Sequence, residues 1–166
     1  KSSTKAPVAM LRPTMIYGRP GDRNLERLLA WLRRVPVVAA PNGGRSLLQP
    51  VRVDDLAATI VRAALDRQPL NRAVNVPGPS PLTFAELVHE CGRALGRTAR
   101  VVPAPEGLLR SVVGVQERVL PKPRLKVEQV DRLTEDKAFD VTDAAESLGH
   151  APRSFAEGIA EEARLL

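Results

Sequence analysis

The sequence predicts an α/β fold built on a parallel sheet, because short apolar runs alternate with stretches of helical periodicity. Turns rich in proline and glycine separate these segments. The composition, 43% apolar and 27% charged, is ordinary for a folded protein and excludes a disordered chain or a coiled coil. With 166 residues, we expect one compact unit or a part of a larger one.

The first 44 residues predict two short strands around one helix. Val8 to Leu11 is an apolar run typical of a buried strand, and Pro13 ends it because proline cannot donate a ladder hydrogen bond. Residues 24–34 place four leucines on one helical face. The other predicted segments are a loop over 17–22, a strand over 35–40 and a turn over 41–44.

The middle of the chain predicts a strand–helix–strand arrangement. Residues 46–53 are extended and interrupted by Pro50. Asp54 and Asp55 are expected to cap a helix over 56–66, since an acidic N-cap complements the helix dipole. The buried stripe of this helix is predicted to be Leu56, Ile60 and Ala64, and the next strand covers residues 73–76.

Two capping boxes mark helix starts in the second half, at Thr83–Glu86 and at Ser154–Glu157. Further predicted elements are a strand over 100–103, an amphipathic stretch over 106–120, and helices near 126–133 and 142–148. Three or four short strands are too few for an independent doubly wound sheet. The first strand also has no predicted neighbour upstream, so we expect an N-terminal half to be missing.

The charge is uneven, with +8 over residues 1–52, +4 over 53–127 and −6 over 128–166. A sequence pI near 10.2 is compatible with an anion- or nucleic-acid-binding module. We favour the alternative that basic and acidic parts pack together, because the acidic C-terminal third would repel phosphate and only five residues are aromatic. Some arginines then remain to face an anionic small molecule.

Catalytic and metal-binding patterns are missing from the sequence. No glycine-rich turn links a strand to a helix, which a dinucleotide pyrophosphate needs. His89 and His150 are far apart and are expected at the surface or at a helix cap rather than on a metal. Cys91 is expected to be a small buried hydrophobe. As the single cysteine it cannot form an internal disulfide, which favours a cytoplasmic location. No apolar run is long enough for a membrane helix.

Four motifs, in order, resemble those of the NAD-dependent epimerase/dehydratase family, the extended and atypical short-chain dehydrogenase/reductases. Residues 11–18 (LRPTMIYG) resemble its RPxxIYG segment, and residues 49–57 (QPVRVDDLA) are similar to its QPVxVDDLA motif. Residues 75–83 (NVPGPSPLT) resemble its YNVGGPEPLT segment. Residues 140–158 resemble its closing signature of D, A, LG and PRSFEEG.

The resemblance implies the C-terminal part of a Rossmann-like parallel sheet with a small mixed α/β substrate-binding cap. Residues 1–18 and 53–76 would belong to the Rossmann-like domain, and residues 19–52 and 77–166 to the cap. The cofactor fingerprint and the YxxxK pair would lie in the missing half. Tyr17, the single tyrosine, cannot belong to such a pair, because the residue four positions after it is Gly21 and not a lysine. We therefore expect no catalytic residue and no metal site in this chain.

The resemblance also implies site residues. The cofactor, NAD or NADP in the full-length parent, would contact Pro13, Thr14 and Met15. The substrate would meet Tyr17, Arg19, Gln49 and Arg52, although Arg52 is equally compatible with a surface position. A diphosphate clamp is not supported, because Leu48 replaces the arginine found in nucleotide-sugar members.

The function implied is the substrate-binding half of an NAD(P)-dependent epimerase, dehydratase or reductase, whose isolated half is inactive. The QPV form also resembles the atypical branch, so a non-catalytic cofactor-binding or assembly subunit is the alternative. The binding partner would be a sugar-like or lipid-like small molecule and not nucleic acid. The 106–120 stretch would either pack within the cap or contact a lipid. A sheet cut at its middle exposes an edge, so we expect self-association.

Overall fold

The computed structural model describes residues 8–18, 25–65, 71–119 and 127–165. The strands are β1 (Met10–Pro13), β2 (Ile16–Tyr17), β3 (Val37–Ala40), β4 (Leu47–Leu48), β5 (Val51–Arg52), β6 (Ala73–Val76), β7 (Leu82–Thr83) and β8 (Arg100–Pro103). The helices are α1 (Leu25–Leu32), α2 (Val53–Leu65), α3 (Phe84–Ala94), α4 (Glu106–Val119), α5 (Val127–Arg132), α6 (Thr142–Leu148) and α7 (Phe155–Leu165).

The strands pair mostly in parallel, which confirms the predicted α/β class. β1 pairs with β6 from Met10–Ala73 to Pro13–Val76, and β3 pairs with β8 over four residues. β2 and β5 form a short parallel pair, whereas β4 and β7 are antiparallel. Parallel pairing aligns the carboxyl ends of β1 and β6, so the residues that follow both strands lie at one edge.

Two apolar clusters hold these elements together. The larger joins α1, α3 and α7 through buried side chains that include Leu29, Leu87 and Ile159. The smaller lies beneath β6 and joins it to α2 and α6 through Val74, Leu56 and Leu148, among others. The predicted leucine face of α1 is confirmed: Leu25, Leu29 and Leu32 are buried, and Leu28 packs against the larger cluster.

Local sequence signals placed several elements correctly. Thr83 caps α3 with the reciprocal bonds of a capping box, and Gly96 follows that helix with a φ of +68°. Ser154 and Glu157 form the second predicted box ahead of α7. Cys91 is buried on α3, as expected for a small hydrophobe.

Other predictions about strands were wrong. The two-residue strands β2 and β7 were not foreseen, and Tyr17 belongs to β2 rather than to a loop, whereas β4 and β5 lie in the predicted extended segment on either side of Pro50. The first strand was expected to be buried, yet Met10 is 54% exposed and Val8 before it 62%. Within the described residues, β1 has a neighbouring strand on one side alone, which leaves its other edge open.

The register of α2 also differs from the prediction. The helix begins at Val53, so Asp54 and Asp55 lie in its first turn rather than at the N-cap. Its inward face carries Leu56 and Thr59, whereas Ile60, expected inside, is 48% exposed. Ala64 is exposed as well, and the inward stripe instead follows Leu56, Thr59 and Ala63, with a spacing of three and then four residues.

The amphipathic stretch over 106–120 forms α4, but its apolar side is largely exposed. Val113 is buried beside α5, whereas Leu108, Val112 and Val119 are 58–72% exposed. Packing among the described residues therefore covers little of this helix; Leu120 lies outside them. Across the part of the chain that the structure describes, no helix is both long and apolar enough to cross a membrane.

Candidate functional site

The carboxyl edge of the β1–β6 pair brings three distant segments together, and we call Pro13–Met15, Gln49 and Pro77–Gly78 the carboxyl-edge cluster. Gln49 forms its centre and is 1% exposed. Its backbone carbonyl accepts hydrogen bonds from the Thr14 hydroxyl and from the Gly78 amide. Its side-chain nitrogen donates to the Gly78 carbonyl at 2.8 Å, so the amide and the carbonyl of Gly78 are both bonded to Gln49.

Glycine at position 78 is required by the closeness of the crossing chains. A Cβ atom there would lie 2.1 Å from the Pro50 carbonyl oxygen, well inside contact distance. Packing therefore requires the glycine of the NVPGP motif, since it lets the chain that follows β6 pass directly over residues 49–50. In open α/β sheets, ligands bind outside the carboxyl ends of the strands, which makes this edge the candidate site.

A second segment extends the cluster toward a cavity. Phe139 donates its amide to the Gln49 side-chain oxygen at 2.7 Å, and Lys137 donates its amide to the Leu47 carbonyl at 2.8 Å. Asp136 accepts the Leu47 amide at 2.9 Å. Residues 136–139 therefore run alongside residues 47–49 and connect the carboxyl edge to the cavity.

The cavity has a volume of about 750 Å³ and is open to solvent. It lies beside the Asn42–Gly43 turn, where both residues have positive φ. Among the described residues, the Arg45 guanidinium has no acidic partner, while Asp136 brings one carboxylate. The lining thus offers a free cation, a carboxylate and hydroxyl groups; its members are Asn42, Gly43, Arg45, Ser46, Val101, Pro103, Thr134 and Asp136.

Arg52 is itself buried, and it pairs with two acids whose side chains are about half exposed. Its side chain is 9% exposed; Nε lies 3.0 Å from Asp54, and a second nitrogen pairs with Glu161. It also donates to the Gly158 carbonyl at 3.2 Å. The surface alternative for Arg52 was therefore wrong, and the guanidinium fastens α7 to the start of α2.

Asp55 and Arg153 form a second link, between α2 and the segment just before α7. Asp55 accepts the backbone amide of Arg153 at 3.0 Å and its guanidinium at 3.0–3.1 Å. The hydrogen bond to Asp55, more than any other interaction, raises the pKa of Arg153. The second acid of the VDD motif and the arginine of the PRSF motif thus form an ion pair, so the two motifs supply the two partners of one interaction.

Tyr17 is packed inside the protein. Its ring meets Phe155 edge to face at a centroid distance of 5.3 Å, and it is 2% exposed. Burial raises the pKa of its phenol, with the nearby Arg52 opposing the rise. A buried phenol that holds its proton so firmly is a poor acid or base at neutral pH.

The structure brings together most of the residues predicted for the site, and the roles predicted for them in binding stay predictions. Pro13, Thr14 and Met15 follow β1 at the carboxyl edge beside Gln49. Tyr17 and Arg52 lie one step away, in the interface with α7. Arg19 lies outside the described residues.

Two features of the site were missed from the sequence. The cavity residues Arg45 and Asp136 are 91 positions apart, although the PNGG turn just before Arg45 hinted at a special backbone. His150 was expected at the surface or at a cap, yet it is 2% exposed. No group of three or more potential metal ligands occurs in the described part of the chain.

Comparison with solved structures identifies the fold. No family model matches the chain. The UDP-glucuronic acid 4-epimerase of Bacillus cereus, in complex with UDP-glucuronic acid and NAD, matches 96% of this chain and 46% of its own length, with a TM-score of 0.63 and 15% identity. TunA, an NAD-dependent NDP-hexosamine 5,6-dehydratase of tunicamycin biosynthesis, matches 99% and 47% at a TM-score of 0.64 and 18% identity. An epimerase from Methanothermobacter thermautotrophicus gives a TM-score of 0.67, with 16% identity over 95% of this chain and 42% of that one.

Curated relatives match by sequence over shorter portions. The mitochondrial 40 kDa subunit of NADH-ubiquinone oxidoreductase from Neurospora crassa is 24% identical over 131 residues, which is 79% of this chain and 34% of that protein. An uncharacterized protein of Mycobacterium tuberculosis is 33% identical over 107 residues, 64% of this chain and 11% of that protein. The chain spans less than half the length of each of these relatives and solved structures. Its fold is that of part of an NAD-dependent epimerase or dehydratase, and it fits the C-terminal half expected from the motifs.

Proposed function

We propose that this chain is the substrate-binding half of an NAD(P)-dependent epimerase, dehydratase or reductase acting on a hydroxylated, sugar-like substrate. The observation that carries the proposal is the carboxyl-edge cluster, fixed by Gln49 and joined to a polar cavity. Residues 1–18 and 53–76 would complete the Rossmann-like sheet, and residues 19–52 and 77–166 would form the cap.

The carboxyl-edge cluster fits one end of the cofactor. The Thr14 hydroxyl is occupied by the Gln49 carbonyl, so backbone groups of Pro13–Met15 would face the nicotinamide. The sequence has no glycine-rich turn for the pyrophosphate, which the other half would supply. When bound, NAD(P) provides hydride transfer at the substrate carbon.

The cavity is where we place the substrate. Asp136 would accept hydrogen bonds from substrate hydroxyls, and Arg45 would meet an anionic group, which offsets the lack of an arginine at Leu48. Tyr17, Gln49 and Arg52, predicted to touch substrate, are engaged with protein groups. We assign them the shaping of the pocket, since they hold α7 and the 136–139 segment against it.

Acid–base chemistry would come from outside this chain. Tyr17 is its single tyrosine and is buried, and Cys91 is buried with a raised thiol pKa. The chain alone would therefore bind substrate but not turn it over. Its exposed β1 edge further predicts self-association, which sedimentation velocity would detect as dimers or larger species, whereas a clean monomer would contradict it.

Substrate placement can be tested on the chain itself with UDP-glucuronic acid and with glucuronate as probes. We expect amide chemical shifts to change at Arg45, Ser46 and Thr134, and Arg45→Ala to weaken binding about tenfold or more, as loss of a charge-assisted contact does. Arg97→Ala is the matched control, because Arg97 is exposed and is not one of the residues that line the cavity. Shifts confined to other surfaces, or none with either probe, would contradict the placement.

A second candidate is a non-catalytic cofactor-binding or assembly subunit of the same fold. The match over 79% of this chain to a subunit of NADH-ubiquinone oxidoreductase favours it. The complete gene product distinguishes the two. Cofactor binding without turnover of any alcohol or keto substrate would favour the subunit, whereas measurable NADH formation would exclude a purely structural role.

A further inference from the structure

The β3–β8 pair turns one side toward the larger apolar cluster and the other side toward solvent. Val38 and Val101 are partners in the register, and both pack against the cluster. Because side chains alternate along a strand, the residues on either side of these two valines point outward. The outward-facing residues are Val37, Ala39, Arg100 and Val102. All of them except the half-buried Val37 are exposed, so the described residues leave this side of the pair uncovered.

The single tryptophan adjoins this uncovered side. Trp31 is 47% exposed, although its indole nitrogen donates to the Val37 carbonyl at 3.0 Å. That bond satisfies the polar atom of the ring and fixes the ring beside the start of β3. Val35, whose amide donates to the Trp31 carbonyl, is exposed as well. The apolar surface therefore continues from the two strands to the end of α1, and contiguous exposed apolar surface of this kind is typical of a binding surface.

Arginines surround the apolar surface. Residues 27–40 and 91–105 contain six arginines and no aspartate or glutamate. Arg27 lies one helical turn before Trp31 on α1, so the two side chains share a face. Arg34 lies in the turn that ends the helix, where its amide donates to the Trp31 carbonyl at 2.9 Å. The tryptophan thus has a cationic side chain on each side of it along the chain.

These arginines are not neutralised by acids. Across the part of the chain that the structure describes, Arg27, Arg34 and Arg100 form no salt bridge. The exposed apolar stripe of α4 differs in this respect, because its Arg110 is already paired with Glu106. The surface around the tryptophan is therefore complementary to an anionic partner, whereas α4 is not.

We propose that this surface docks on an anionic phospholipid bilayer. Tryptophan is favourable at a membrane interface, because its ring is apolar while its N–H group is polar. The arginines would meet lipid phosphates, and the aliphatic side chains would enter the boundary between headgroups and acyl chains. We call this surface the Trp31 face; its members are Arg27, Trp31, Arg34, Val35, Ala39, Arg100 and Val102.

Two other occupants fit the Trp31 face less well. Nucleic acid would stack its bases on several aromatic rings, and this face has one. A second copy of the chain that used the same face would bring like charges together, which disfavours the contact. The proposal goes beyond the proposed function and does not rest on it, since no residue of the Trp31 face belongs to the carboxyl-edge cluster or lines the cavity.

Trp31 is itself the fluorescent probe for the experiment, because the sequence has no other tryptophan. We expect its emission to shift to shorter wavelengths with vesicles of phosphatidylcholine that contain about 30% phosphatidylglycerol, and not with phosphatidylcholine alone. Raising the salt from about 50 to about 500 mM should weaken binding, because it screens the arginines from the lipid. No shift with the anionic vesicles, or an equal shift with the neutral ones, overturns the proposal.

Paired variants locate the contact by co-sedimentation with the same vesicles. Arg34→Glu should lower the partition coefficient about tenfold, because one basic residue near an anionic surface contributes about fivefold and the new carboxylate is repelled. Arg164→Glu on α7 makes the same change in net charge outside the face and should lower it less than about twofold. Val102→Thr should lower it about fourfold, the equivalent of about one buried methylene. Val112→Thr, the same substitution on the exposed stripe of α4, should have no effect.

The results that would contradict the proposal are distinct from one another. A larger loss in Arg164→Glu than in Arg34→Glu, or in Val112→Thr than in Val102→Thr, would place the lipid contact elsewhere. A shift with a single-stranded oligonucleotide but not with anionic vesicles would mean a nucleic-acid surface. A shift that grows with protein concentration in the absence of lipid would mean that a second copy covers the face. Failure of NADH to bind leaves the proposal unaffected, because none of these measurements uses a cofactor.

Discussion

Gly158 provides the sharpest test of the packing between α7 and the strand that carries Tyr17. A Cβ atom at position 158 would lie 2.1 Å from the Tyr17 hydroxyl oxygen and 3.0 Å from Cζ of the same ring. The Tyr17 ring also packs against Phe155 and is 2% exposed, so it has little room to retreat. The glycine of the PRSF…EG motif is thus explained by the tyrosine of the IYG motif.

Gly158→Ala should therefore destabilise the protein. Overpacking a filled interior costs about 1–3 kcal/mol, and the better helix propensity of alanine returns up to about 1 kcal/mol. We expect a net loss of about 1–2 kcal/mol, which corresponds to a fall in Tm of several degrees for a chain of this size. Urea unfolding followed by far-ultraviolet circular dichroism measures it.

Gly107→Ala on α4 is the matched control, because no heavy atom lies within 4 Å of a Cβ there. This change should be neutral or stabilising by up to about 1 kcal/mol. Tyr17→Phe removes the atom nearest to the new Cβ, so the penalty of Gly158→Ala should shrink in that background by about 1 kcal/mol. Equal stability of Gly158→Ala and wild type, or a penalty unchanged by Tyr17→Phe, would refute the reasoning.

Three further predictions use groups that occur once or titrate in a known direction. Burial raises the pKa of Tyr17 above its ordinary 10.0, so stability is lost as the pH rises past that value, and the phenolate absorbance of this single tyrosine should appear only together with unfolding. Burial likewise raises the pKa of Cys91, so a thiol reagent should label it at a rate that urea increases, and rapid labelling of the native protein would contradict its burial. The hydrogen bonds from Ser154 lower the pKa of Glu157 below its ordinary 4.5. Its contribution to stability is present above that value and lost as the pH falls, so Glu157→Gln should flatten the acid limb of a Tm–pH profile, and an unchanged profile would contradict this.

The features that the sequence predicted well are those determined by neighbouring residues. The capping boxes at Thr83 and Ser154 join residues three positions apart, and the leucines of α1 follow a helical period. Both signals span only one or two helical turns, so they can be recognised in the sequence without knowledge of the rest of the fold.

The features that the sequence missed depend on distant partners. β2 is a strand because Ile16 pairs with Val51, and the cavity forms because Asp136 reaches Leu47. His150 follows the glycine that ends α6, where an exposed residue is usual, and it is buried by Thr59 and Pro77, 91 and 73 positions away. Family resemblance named residues that the structure brings together at one edge of the sheet, but only the structure placed Gln49 at their centre.

We propose that the carboxyl-edge cluster forms one end of an NAD(P) site that another half of the protein completes. The most direct measurement is NADH binding, by calorimetry, to the complete gene product and to this chain alone. We expect a micromolar dissociation constant for the complete product and binding at least about 100-fold weaker for the chain, a difference of about 2.7 kcal/mol. Micromolar binding by the chain alone, or none by the complete product, would contradict the claim.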